Sequence, residues 1–174
     1  MHRRIAALIA LLALSTAAAM PSAASAAGRR RPKLVKPPTA AQVIRNCTRS
    51  RTGAFTLPYT VRVLRVARRA MRGDIAEYTS CFDAYKLALR RAKSKIVVGI
   101  RKRSRGGYVA GQVVIRDKRG RLLDAVRVRA GKRTTFVVPK GTYKLGVGTL
   151  RGCTRTVTVR ARRTLSTALT CSAA

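Results

Sequence analysis

The apolar positions of this chain change period once: they recur at helical spacing from Thr39 to Lys93, then alternate with polar positions to the C-terminus. Thr39-Ala-Ala-Gln42 has the spacing of a capping box and predicts a short helix that ends near Cys47. A second helix is predicted from Thr60 as N-cap to Arg72, with Gly73 as its stop. On a helical wheel its Val63, Leu64, Val66, Ala67, Ala70 and Met71 fall on one side. Arg62, Arg65, Arg68, Arg69 and Arg72 fall opposite, within an arc of about 120°. A third helix is expected to begin at Asp74, where Asp74-Ile-Ala-Glu77 repeats the capping box. Its inward stripe would be Ile75, Tyr78, Phe82, Tyr85, Leu89 and Ala92. Two apolar faces so close in sequence are expected to pack on each other.

Beyond Lys93 the alternation predicts seven strands, at 95–100, 108–116, 121–130, 134–138, 142–149, 154–159 and 164–170. They are separated by turn-forming stretches such as Asp117-Lys-Arg-Gly120 and Pro139-Lys-Gly141. The expected fold is therefore an α+β chain in two parts: a small, disulfide-tied three-helix domain at 39–93 and a seven-stranded antiparallel β-sandwich at 94–174.

The first residues have a different character. A basic start, an apolar run from Ile5 to Met20 and the small residues Ala24-Ser25-Ala26 read as a secretory signal peptide over 1–26. The run is shorter than the roughly 20 residues of a spanning helix, and no later segment is apolar for long enough. Residues 27–38, with five basic residues and three prolines, are expected to be an extended basic tail. The processed chain is then expected to be secreted or associated with the cell envelope, without a transmembrane segment. Four cysteines suit two disulfides in an oxidising space. Three pairings exist in principle; the change of period between the second and third cysteine predicts Cys47–Cys81 and Cys153–Cys171. An antiparallel hairpin with Cys153 opposite Cys171 would set Val157 opposite Thr167 and Val159 opposite Leu165, closing over Ala161 to Arg163.

Two resemblances follow from these residues. Cys47, Phe55, Tyr59-Thr60, the run from Val61 to Met71 and Asp74-Ile-Ala-Glu-Tyr-Thr-Ser-Cys81 resemble an uncharacterised helical segment of exported proteins of high-GC Gram-positive bacteria. Gly111-Gln-Val-Val, Asp117-Lys-Arg-Gly120-Arg-Leu-Leu-Asp-Ala-Val126 and Phe136-Val-Val-Pro139-Lys-Gly-Thr-Tyr143 resemble carboxypeptidase-regulatory-like and other transthyretin-like modules. The second resemblance implies an Ig-like sandwich; neither implies an activity.

Composition narrows the chemistry. The only histidine is His2, and the acids are Asp74, Glu77, Asp83, Asp117 and Asp124, with no pairing that suggests general acid–base work or a metal site. A non-catalytic protein without metal or cofactor is expected. Against those 5 acids stand 39 basic residues, for a net charge of +34. Arginine outnumbers lysine 29 to 10, a skew that genomic composition can produce, but the five arginines on one helix arc are mutually repulsive at spacings of three and four. An anionic ligand would offset that repulsion. Arg62, Arg65, Arg68, Arg69 and Arg72, helped by Arg101, Arg103 and Arg105, are therefore the candidate polyanion contacts. Tyr78, Phe82, Tyr85, Phe136 and Tyr143 fall on predicted core faces and there is no Trp, which disfavours sequence-specific nucleic-acid binding. Anionic envelope polymers, such as teichoic acids or acidic polysaccharides, and lipid head groups remain as partners. The alternative expectation is a secreted cationic effector that acts on membranes.

Overall fold

The protein is described by a computed structural model, covering residues 34–50, 52–71, 80–102, 107–148 and 150–171. The expected signal peptide, most of the tail, Arg72, the Asp74–Glu77 capping box, Ile75, Tyr78, Arg103 and Arg105 lie outside the described residues.

Each described helix starts for a local reason or is anchored by a bridge. In α1 (Ala40–Thr48) the Thr39 hydroxyl accepts from the Gln42 amide at 3.3 Å, and the Gln42 carboxamide oxygen accepts from the Thr39 amide at 2.8 Å. This reciprocal cap satisfies two N–H groups that an uncapped first turn leaves unpaired. In α2 (Val61–Ala70) the Thr60 hydroxyl accepts from the Val63 amide at 3.3 Å. The third, α3 (Cys81–Arg91), has no side-chain cap, but its first residue is bridged to Cys47 of α1. Val43 and Cys47 of α1, Val63, Leu64 and Ala67 of α2, and Cys81 and Tyr85 of α3 are buried together. The Phe55 ring, from the connection after α1, meets Tyr85 edge-on at 4.7 Å and Tyr59 at 6.0 Å. Burial pushes the Tyr85 phenol pKa up, and its hydroxyl has no hydrogen-bond partner among the described residues.

The wheel misassigned two residues of α2: Val66 is 49% exposed, and Ala70 is exposed as well. The buried residues centre on the arc of Val63, Leu64, Ala67 and Met71, and Val66 lies roughly a third of a turn from that centre.

The β part holds β1 (Ser94–Lys102), β2 (Tyr108–Val109), β3 (Gly111–Asp117), β4 (Leu122–Val128), β5 (Thr134–Val138), β6 (Gly141–Val147), β7 (Leu150–Val159) and β8 (Thr164–Cys171). The expected second strand is thus two, β2 and β3, which break at Ala110 and enter different sheets. In one sheet, β1 is paired antiparallel with β2 and β5 and parallel with β8; the other has the order β4-β3-β6-β7. Inward residues of both sheets, among them Ile96, Val98, Val113, Ile115, Phe136, Tyr143, Leu145 and Leu169, join the helical residues in one hydrophobic cluster. Residues 32–174 form one compact unit, within which Lys93 to Ser94 marks a change of element type.

Both predicted disulfide pairs are present, at Cα separations of 5.7 Å for Cys47–Cys81 and 5.0 Å for Cys153–Cys171. The expected hairpin is not. β7 is paired with β6, so the chain crosses after Val159 to the other sheet, where β8 lies parallel to β1 with Ile100 opposite Leu169. The crossing is fixed at its base: the Ser94 hydroxyl donates to the Arg160 carbonyl at 2.9 Å, and the Lys95 amide donates to the Arg163 carbonyl at 2.9 Å. Cys153–Cys171 consequently joins the two sheets, and the sandwich is not wholly antiparallel. A second crossing, from β5 to β6, passes through Pro139, whose carbonyl accepts from the buried Tyr143 hydroxyl at 2.8 Å. Burial raises the pKa of that phenol.

Two further contacts fix the two ends of β3. Between β3 and β4 the chain turns through Gly120 at φ 83°, a value that favours glycine. There Asp117 accepts from the backbone and side chain of Arg121 at 2.8 and 2.7 Å. Burial alone would raise the Asp117 pKa, but these bonds outweigh it and hold the carboxyl below its ordinary range. At the start of the described chain, the Gln112 carboxamide accepts from the Val35 amide at 2.9 Å and donates to its carbonyl at 2.7 Å. The end of the expected tail is therefore fastened to β3.

Candidate basic face on the second helix

The polar arc of α2 is divided by its neighbours. Arg62 and Arg68 lie at opposite edges of the arc, with Arg65 and Arg69 between them. Each edge residue meets a partner that the central two do not have among the described residues.

At the first edge stands Asp124 of β4, fully buried. It pairs across the sheet with Ile115, itself a core residue, so its carboxylate lies on the sandwich side of an edge strand. A carboxylate buried there without partners would be strongly unfavourable. The N-terminus of α2 supplies them. The Thr60 hydroxyl donates to Oδ2 at 2.6 Å, Arg62 Nε donates to Oδ2 at 3.1 Å, and Arg62 Nη2 donates to Oδ1. Arg62 Nη2 also reaches the Ala125 carbonyl at 3.1 Å, and the Ala125 amide donates to Oδ1 at 2.7 Å. Thr60 thus has two duties: it caps the helix and binds the acid on which the helix is seated. Arg62, expected as a free ligand contact, is half-exposed and held in an ion pair.

At the opposite edge, Arg68 lies over the Phe82 ring of α3 at 5.6 Å, and Lys86 shares that ring at 4.6 Å. Arg65 and Arg69 have no salt-bridge partner among the described residues. With Arg62, Val66, Asp124, Val126 and the edge of β5 they line a groove of about 330 Å³ between α2 and the sandwich. Its lining sets the basic Arg65 and Arg69 beside the apolar Val66, Val126 and Val137 and the hydroxyls of Thr134 and Thr135, an arrangement that can hold a narrow anionic chain against aliphatic carbon.

Of the other candidates, Arg101 lies on β1, in the sheet that does not contain β4, and is exposed. It belongs to a separate group with Tyr108 and Arg133. Sequence reasoning missed both Asp124 and Tyr108. The signal for Asp124 was present, since it is an acid at an apolar parity position in Leu122-Leu-Asp-Ala-Val126. Among the described residues no three of His, Cys, Asp or Glu come together. No helix there is long and apolar enough to cross a membrane.

No family model matches the chain, and no curated protein matches it. Solved structures with partial likeness include the TIE protein of Bacillus anthracis, at 9% identity and a TM-score of 0.40 over 46% of this chain and 17% of that one. The major pilin subunit of Bacillus cereus matches at 14% identity and a TM-score of 0.37, over 47% and 30%. The 5-hydroxyisourate hydrolase of Klebsiella pneumoniae matches at 15% identity and a TM-score of 0.33, over 45% and 87%. This chain therefore spans less than a third of the length of the first two. The resemblance of residues 39–93 to an exported helical segment has no support in these comparisons.

Proposed function

We propose that this chain is an exported, non-catalytic binding module of the cell envelope or extracellular space, and that the exposed face of α2 contacts a polyanion. The two disulfides support an oxidising compartment. One observation carries the reading of the face. Asp124 and Phe82 engage the outer guanidinium groups, whereas Arg65 and Arg69 have no salt-bridge partner among the described residues and lie beside a groove, at a spacing where they repel each other. An anionic envelope polymer or a layer of lipid head groups would relieve that repulsion.

The membrane-effector reading is disfavoured by packing. Val63, Leu64, Ala67 and Met71, the residues that α2 would have to insert into lipid, are buried in the protein core. Vesicles of anionic phosphatidylglycerol and neutral phosphatidylcholine, loaded with a dye, distinguish the two readings. Binding to the anionic vesicles without dye release is expected, and binding should weaken as salt is raised. Dye release at low protein-to-lipid ratio would overturn the module reading.

A further inference from the structure

On the outer face of the first sheet, three side chains converge over a glycine. Gly99 lies in the middle of β1, between Ala168 of β8 on one side and Tyr108 of β2 and Arg133, which precedes β5, on the other. A Cβ at Gly99 would overlap the Tyr108 ring and press on Arg133 Cγ. Glycine in a strand interior weakens the strand, so its presence marks a place where something must approach the backbone closely. Here that is the Tyr108 ring, and it gathers two cations. The guanidinium carbon of Arg101 lies 4.8 Å from the ring centroid and that of Arg133 lies 4.6 Å from it.

Among the described residues the cations are only lightly occupied. Arg101 Nη2 donates to the Tyr108 hydroxyl at a long 3.4 Å, and Arg133 Nη1 donates to the Ser166 hydroxyl at 3.2 Å. Each guanidinium has five N–H donors, most of them without an acceptor among the described residues. No acid can neutralise the pair from within its sheet, because β1, β2, β5 and β8 contain neither Asp nor Glu. Asp117 and Asp124 belong to β3 and β4 of the other sheet.

We propose that Arg101, Tyr108 and Arg133 form an oxyanion site, separate from the α2 face, that takes a phosphate or sulfate ester group. A planar carboxylate is matched by one guanidinium fork. A tetrahedral ester has enough terminal oxygens to accept from two forks at once, and the aromatic ring holds both forks in place before it arrives. The site shares with the proposed function the expectation of a polyanionic partner, and shares Arg101 with its candidate contacts, but it does not depend on Arg65 or Arg69.

The test follows the arginine Nε–Hε resonances of the oxidised chain by NMR, at constant ionic strength, during separate titrations with inorganic phosphate, inorganic sulfate and acetate. Saturable shifts of Arg101 and Arg133 are expected, with phosphate or sulfate bound at least about tenfold more tightly than acetate. The tighter of the two oxyanions names the ester. Tyr108→Leu keeps both cations but frees them, and should weaken binding at least about fivefold. Arg133→Gln should do the same while leaving ring and glycine in place, so the test stands even if the tyrosine variant folds poorly. Arg65→Gln/Arg69→Gln should leave these titrations unchanged, which separates failure of this site from failure of the α2 face. Equal affinity for acetate and phosphate, or undiminished affinity in Arg133→Gln, would overturn the site and leave Tyr108 as a cover for Gly99.

Discussion

Arg62→Gln is expected to destabilise the protein by roughly 3 kcal/mol, because it leaves the carboxylate of Asp124 buried without its cation. In a unit of this size that corresponds to a fall in melting temperature of roughly 10 °C. The loss is not larger, since Thr60 and the Ala125 amide still donate to the carboxylate. Asp124→Asn should cost less, because the amide oxygen still accepts and no buried charge is stranded. The double variant Arg62→Gln/Asp124→Asn should then be more stable than Arg62→Gln alone, a coupling that a denaturation cycle measures directly. Arg65→Gln and Arg69→Gln should behave in the opposite sense. Each removes a repulsive neighbour and should stabilise α2 by a few tenths of a kcal/mol. A loss below about 0.5 kcal/mol for Arg62→Gln would be the behaviour of an exposed surface pair, and would contradict the seating of α2 on Asp124.

The second large effect concerns the bridges. Cys47–Cys81 closes a separation of 34 residues and Cys153–Cys171 one of 18. On the loop-entropy description their removal as paired alanine variants should cost about 4 and about 3 kcal/mol respectively. The consequences should also differ in place. Without the first, α3 loses the covalent tie at its otherwise uncapped start. Without the second, the last residues of β8 lose their link to the facing sheet and should exchange amide hydrogen faster than those near Leu165. Peptide mapping of the unreduced protein should recover only these two cross-linked pairs. A pair joining a cysteine before Lys93 to one after it would contradict the fold.

What the sequence made legible has a physical pattern. Caps are local, so Thr39 with Gln42 and Thr60 with Val63 could be read from spacing alone. Inward parity is local too, and it correctly directed Cys153 and Cys171 to a common core. Parity does not say which strand lies alongside. A β7–β8 hairpin and the observed crossing bury the same side chains, and the choice between them rests on Ser94 and Lys95 binding the carbonyls of Arg160 and Arg163, contacts more than 60 residues apart in the chain. The same limit applied to the site. The wheel grouped the arginines of α2, but it could not show that the outer two face Asp124 and Phe82 on other elements. Tyr108 was assigned to a strand, yet its meeting with Arg101 and Arg133 depends on the sheet bringing β2 and β5 to the same side of β1.

The proposal that the α2 face is a polyanion contact is tested most directly by comparing the parent with Arg65→Gln/Arg69→Gln on an immobilised phosphodiester polymer at near-physiological salt. Both changes keep the helix and leave the Arg62–Asp124 pair intact, so folding is not at issue. The variant should elute at clearly lower salt and show a shallower dependence of affinity on salt, with the slope reduced by about one to two. Coincident elution and equal slopes would contradict the account and make the α2 arginines an ordinary solvated face.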